Sequence, residues 1–470
     1  MSDADRPDPF ASARDIAAAV ASGRWTASAV IETTLARIEA HDRALNAFTL
    51  VTTARARAAA AMIDARRKAG EKLPPLAGVP YAVKNLFDLA GEVTLAGSHV
   101  LAGEPPADRD AVLVERMDAA GAICVGALNM DEFAYGFTTE NSHAGPSRNP
   151  HSPAHSAGGS SGGCGAAVGG GLVPISLGSD TNGSIRVPSS FCGIWGLKPT
   201  YGRLPRTGSY PFVYSLDHLG LFARTVEDLA LAYDAMQGHD AGDLACAERP
   251  AEPALARLAE GGALRVGVLG GWFADQAGEQ ARRAVALAAG ALGATETVVV
   301  PGAEAGRAAA FLITASEGGE LHRLHLRERY DDMEPLSRDR LAAGALLPAA
   351  WVQRAQRVRA QWRLRMLQAF ERFDLLLAPA TPIPAPRLPC ETVVINGRTL
   401  PARPNIGLLT QPISCIGLPV VAAPVETGDT LPLGVQLIAA PWAEVTALRA
   451  ARKLEQAGIA LARAVPEPAE

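Results

Sequence analysis

Apolar positions in the first seventy residues recur at intervals of three and four. Ile16, Val20, Val30, Leu35 and Ile38 fall on such a stripe, the periodicity of helices with one buried face. Thr26, just before Ser28, is placed as a helix cap, and residues 53–68, rich in Ala and Arg, are expected to form an amphipathic surface helix. Pro74, Pro75 and Pro80 then break the pattern. The short apolar run at 79–83 leads directly into Lys84, as a strand ending in a functional residue does. A helix is predicted over 110–120 and a buried strand over 122–127.

Residues 136–220 differ in kind. They are rich in Gly, Ser, Asn and Pro and show little helical periodicity. A structureless loop of that length does not suit a compact domain, so short buried strands joined by tight turns are predicted. Such loops on a rigid scaffold commonly carry function. Residues 236–262 read as a surface connection, 265–269 as a strand, 276–292 as an Ala-rich helix and 303–372 as mostly helical and charged. Short apolar runs return at 374–378, 419–423 and 433–438, before a last helix over 443–457. Helices flank strands from both ends of the chain, which predicts one mixed α/β domain over residues 1–470. Its parts are N-terminal helices (11–70), a core (79–235), a helical region (303–372) and a C-terminal return to the core (373–458).

Composition narrows the function classes. Lys and Arg number 44 against 49 Asp and Glu, a net charge of −5. No basic stripe follows from this that would track a nucleic-acid backbone. The cysteines at 124, 164, 192, 246, 390 and 415 are scattered, with no C-x-x-C pair. That speaks against a zinc site or disulfide framework and for a reducing compartment. Residues 1–10 are acidic and Pro-rich, without the basic and apolar regions of a signal peptide. No apolar run reaches the roughly 18–20 residues of a membrane helix. The cytoplasm is the expected location.

Three segments carry candidate chemistry. The first is GGSSGG at 158–163, a Gly/Ser turn or a nucleophile elbow centred on Ser160 or Ser161. An elbow should follow a buried strand, and the polar residues 150–156 do not read as one. In the second, residues 178–188, small residues before Ser184 could direct several backbone N–H groups at one point, as an oxyanion hole does. The third is Lys84, which on a surface would snorkel and in a core would have a depressed pKa and act as a base. His322 and His325 stand three apart on a predicted helix, a metal-like spacing. No third ligand lies near in sequence, so a pocket or surface pair is expected, with no metal.

Taken together, residues 158–188 resemble the amidase signature, with both serines at the family spacing and Lys84 where that family keeps its lysine. NMDEFA at 129–134, GLKPTYGR at 196–203 and GLP at 417–419 extend the resemblance over most of the chain. It implies a twisted mixed central β-sheet with helices on both faces. The implied reaction is hydrolysis of the C–N bond of a small polar amide with release of ammonia, without a cofactor. The implied roles are Ser184 as nucleophile, Ser160, after a cis peptide bond, as bridge, and neutral Lys84 as base. The N–H groups of Thr181, Asn182, Gly183 and Ser184 would hold the oxyanion, supported by Asp180 and Arg186. Two residues depart from the pattern. Asn182 replaces the usual Gly, so its side chain reaches substrate or stiffens the loop, and Cys164 replaces a common Ser as a packed small residue.

Within the family, residues 135–143, 180–183, 215–218 and 321–344 resemble hydrolases of 1-carboxybiuret in cyanuric acid degradation, the favoured reading. Residues 129–134 and 139–142 also resemble the glutaminase (A) subunit of tRNA-dependent amidotransferases. A non-catalytic scaffold is a third reading, and the complete triad speaks against it. A substrate carboxylate requires a cation, expected among His322, His325, Arg327, Arg329 and Arg338, while Gln411 and Asn182 are candidates to hold amide groups. The resemblance further implies a homodimer with a small helical accessory chain, residues 129–134 being part of that contact. Neither a membrane nor a nucleic acid is expected as a partner, except nucleic acid under the amidotransferase alternative.

Overall fold

The apolar runs assemble into one eleven-stranded sheet in the computed structural model, which describes residues 7–462 and 465. In chain order its strands are β1 (Phe48–Val51), β2 (Pro80–Lys84), β3 (Ile123–Leu128), β4 (Ile175–Asp180), β5 (Trp195–Lys198) and β6 (His218–Ala223). They continue with β7 (Val266–Leu269), β8 (Glu296–Val298), β9 (Leu375–Pro379), β10 (Val420–Val425) and β11 (Leu433–Ala439). The spatial order is β1-β3-β2-β4-β6-β5-β10-β11-β9-β7-β8. β2 runs parallel to β3 and β4, and β7 runs parallel to β8 and β9; the other neighbours are antiparallel. β2, β3, β4, β6, β10 and β11 are buried at every position. Side chains alternate between faces, so burial throughout requires cover on both. This is the mixed α/β architecture that the resemblance implies.

The N-terminal stripe forms the helices Ala13–Ser22, Ala27–Leu45 and Thr53–Lys68, and the Thr26 hydroxyl caps the second by accepting from Ala29 N at 3.0 Å. Between them, β1 has only four residues and pairs with β3, too few for an alternation to show. Residues 136–220 are largely buried, but they hold two helices as well as strands: Gly162–Gly169 and Arg186–Cys192. Both are buried all round, so neither needs the apolar stripe that marks a helix in sequence. Close packing explains the glycines: a Cβ on Gly163 would lie 2.5 Å from Ala47 O. Residues 303–372 form Ala303–Leu321, Arg323–Glu328, Pro335–Ala345 and Ala349–Arg372. Residues 1–6 of the acidic N-terminal stretch lie outside the described residues.

Register decides what meets at the site. Parallel β2 and β4 pair Tyr81 with Ile175 and Val83 with Leu177, so Lys84 and Asp180 emerge at one edge. Antiparallel β6 opposes His218 to Asp180 and brings Asp217 to that edge as well.

Candidate active site

Lys84 closes β2 in full burial. Its Nζ donates to Ser160 Oγ at 2.6 Å and to Ser179 Oγ at 2.9 Å. Burial pushes its pKa down to about 8 against the pull of nearby acidic groups. Ser160 follows a cis Gly159–Ser160 peptide, and its carbonyl accepts from Asp131 N at 3.2 Å. A Cβ on Gly159 would lie 2.1 Å from Asp131 Oδ2. The strand before it, Ser152–Ser156, is half-exposed, pairs with Arg148–Asn149 and bridges to Arg387, and is not a strand of the central sheet. Ser160 therefore does not sit at the end of a buried sheet strand, as an elbow would require.

The loop after β4 is bolted from several sides. Thr181 Oγ1 donates to Asp217 Oδ1 at 2.6 Å, and Asp217 Oδ2 accepts from the N–H groups of Phe212 and Val213 at 2.8 and 2.9 Å. Thr410 Oγ1 donates to Asn182 O at 2.7 Å. Gly183 has φ +140°, and a Cβ there would lie 2.1 Å from the same Thr410 Oγ1. Arg186 grips Asp180 with two bonds of 2.9 Å, and it donates to Thr410 O at 3.1 Å and Gln436 Oε1 at 2.7 Å. Burial alone would raise the Asp180 carboxyl, but the Arg186 guanidinium holds it well below the usual carboxylate range.

Thr181, Asn182 and Ser184 line a small cavity together with the aromatic rings of Tyr135, Phe137, Phe212 and Phe311. Three further polar groups reach it: Thr314, Gln411 and Arg340. Gln411 presents an amide whose Oε1 accepts from Arg307 Nε at 2.9 Å. Arg340, from the helix Pro335–Ala345, lies over the Tyr135 ring at 3.7 Å from its centroid. Burial lowers the Arg340 pKa, yet a guanidinium stays charged throughout the working range. No carboxylate pairs with it among the described residues.

The profile of the family described as Amidase matches residues 29–448. The chain belongs to the amidase family. This amidase is 60% identical over 449 residues to AtzE, a component of the 1-carboxybiuret hydrolase of Pseudomonas sp. (strain ADP), covering 95% of this chain and 98% of that one. It is 40% identical over 474 residues to the A component of the glutamyl-tRNA(Gln) amidotransferase of Anaeromyxobacter sp. (strain K), covering 94% and 95%. A solved structure, described as a vestigial protein complex revealing the evolutionary origins of an s-triazine catabolic enzyme, matches with TM-score 0.95 and 58% identity over 96% of this chain and 100% of that one. A crystal structure of an amidase matches with TM-score 0.85 and 31% identity over 95% and 100%. The protein is an amide C–N hydrolase.

The amidase brings Lys84 and Ser160 into contact and places Thr181, Asn182, Ser184 and Gln411 on one cavity. Its five expected carboxylate partners are elsewhere. His322 packs its ring 3.9 Å from that of Phe133, and burial pushes its pKa down to about 3, so it is neutral. His325 sits with Nδ1 3.2 Å from His322 Nδ1. Arg327 and Arg329 are exposed and pair with Glu328 and Asp332. Arg338 lies over Tyr330 and faces Asp331.

The cation that reaches the cavity is Arg340, two residues further on. Ser337, Leu341 and Gly344 are the buried positions of that helix, a spacing of four and three. Two of these three are Ser and Gly, so no apolar stripe in the sequence distinguishes Arg340 from Arg338, and only the packing of the helix does. Ser179, the second acceptor of Lys84, carries no sequence signal either. Residues 129–134 are buried within this chain, so they cannot be a partner-facing surface, contrary to expectation. Cys164 is a packed thiol: it is fully buried, its Sγ lies 3.3 Å from Leu177 O, and burial pushes its pKa up to about 12.

Proposed function

We propose that this amidase hydrolyses the terminal amide of a small planar ureido carboxylate, with 1-carboxybiuret as the substrate. The observation that carries this reading is Arg340, an arginine without a carboxylate partner among the described residues, on the wall of the cavity that Ser184 lines. A partly desolvated cation of this kind favours an anionic ligand. The 60% identity to a 1-carboxybiuret hydrolase component supports the same substrate.

Ser184 Oγ attacks the scissile carbonyl. Its proton passes through Ser160 Oγ to neutral Lys84 Nζ. The loop N–H groups of residues 181–184 hold the tetrahedral oxyanion. Collapse breaks the C–N bond as the proton returns to the departing nitrogen, which leaves as ammonia. Water then attacks the acyl-Ser184 by the same route and releases a carboxylate.

Ammonia release from carboxybiuret, biuret, allophanate, glutamine and malonamide tests the assignment. Carboxybiuret should be turned over with the highest kcat/KM. Preference for glutamine would favour the amidotransferase reading, to which 40% identity gives support. No turnover of any amide would favour a scaffold.

The same reading places the enzyme in the cytoplasm as a homodimer carrying a short helical accessory chain. The similar solved complex supports a partner. Six buried free thiols suit a reducing compartment, and no helix among the described residues is long and apolar enough to cross a membrane. Native mass measurement after co-expression with a candidate small chain tests the assembly. A monomer that ignores the chain would refute it.

A further inference from the structure

Asn182 stands two residues before Ser184 and lines the same cavity. Its backbone carbonyl is occupied by the Thr410 hydroxyl. Its side-chain Nδ2 donates to Thr314 Oγ1 at 2.8 Å, and Thr314 is itself a buried cavity residue on the helix Ala303–Leu321. Asn182 Oδ1 is buried and has no hydrogen-bond partner among the described residues. A buried acceptor left unmatched is costly, and a site containing one discriminates strongly against a ligand that cannot satisfy it.

Resting on the ureido carboxylate reading above, we infer that Asn182 is a specificity-determining residue, whose Oδ1 accepts an N–H on the acyl side of the scissile carbonyl and so selects ureido compounds over ordinary carboxamides. Thr314 is the positioning residue that fixes which end of the amide faces the cavity. The N–H in question is not that of the leaving nitrogen. That nitrogen must face the Lys84–Ser160 pair to receive its proton, and neither of those residues is part of the cavity lining. Asn182 and Thr314 are cavity wall, where the acyl portion extends toward Arg340.

Two stable probes isolate the effect. N-carbamoylglycine and succinamate both carry a primary amide and a carboxylate at equal distance, and they differ only by N–H against CH2 beside the scissile carbonyl. Intrinsic reactivity cancels when the ratio of their kcat/KM values is compared across variants. Asn182→Ala should lower the ureido-to-carboxamide ratio at least about ten-fold. Thr314→Val should lower it less, in the same direction. The ratio of dissociation constants, measured by calorimetry in Ser184→Ala with and without Asn182→Ala, should move in the same way without any turnover. Equal losses on both probes, or a binding ratio unchanged by Asn182→Ala, would overturn the inference and reduce Asn182 to a loop-shaping role. If the wild-type enzyme turned over neither probe, the substrate reading would lose support, and the binding ratio would still decide the role of Asn182.

Discussion

Lys84 Nζ donates to Ser160 Oγ across 2.6 Å, with both residues fully buried. A lysine held by hydroxyls instead of carboxylates keeps the low pKa that burial imposes, about 8. If neutral Lys84 is the base, kcat/KM rises with pH through an apparent pKa near this value. A rate profile flat from pH 6 to 10 would refute a lysine base.

The same shift has a stability consequence. The folded-state pKa lies below the ordinary 10.5, so between about 8 and 10.5 the unfolded chain holds the proton more tightly, and stability rises with pH across that window. Below about 8 the cost is present in full. Lys84→Met should abolish activity and flatten this rise in a urea titration repeated from pH 7 to 10.5. A wild-type midpoint independent of pH over that range would refute the shift.

Ser184→Ala should lower kcat by at least about a thousand-fold with the melting temperature retained. Ser160→Ala should be nearly as damaging, because groups that act as one unit are not additive. Steady-state ammonia release together with circular dichroism checks both.

Arg340→Met should cost about ten- to a hundred-fold in kcat/KM on a carboxylate-bearing amide, the usual weight of a hydrogen bond to a charged group. Loss on a neutral amide should be far smaller. Arg338→Met, which removes a side chain engaged with Tyr330 and Asp331, should leave both rates near wild type. Equal effects of the two substitutions would remove Arg340 from the substrate site.

Arg186→Met would leave Asp180 buried and unpaired in the middle of the loop's support. A loss of about 3–5 kcal/mol is expected from denaturant unfolding at pH 7. Because the folded-state Asp180 pKa is depressed, the pair's contribution is present above the ordinary 3.8 and is lost as pH falls toward the folded value. The difference between wild type and variant should therefore shrink in acid.

By itself, the sequence determined the mixed α/β class and the residues of the signature. Stripes of period 3.6 mark helices that bury one face, and a short unbroken apolar run marks a strand buried on both, which is why Ile16 to Ile38 and the strand before Lys84 were legible. Ser160 and Ser184 were legible through the resemblance of residues 158–188 to the amidase signature. The helices after Ser161 and Ile185 were not legible, because an element buried on every side has no contrasting face. Only the tertiary structure decided which cation meets the cavity. Arg338 and Arg340 are the same residue type two positions apart, and rotation of the helix Pro335–Ala345 against its neighbours sends one to Asp331 and the other to Tyr135. It decided likewise that Lys84 meets Ser179, since the parallel register of β2 on β4 sets that distance across 95 residues of chain.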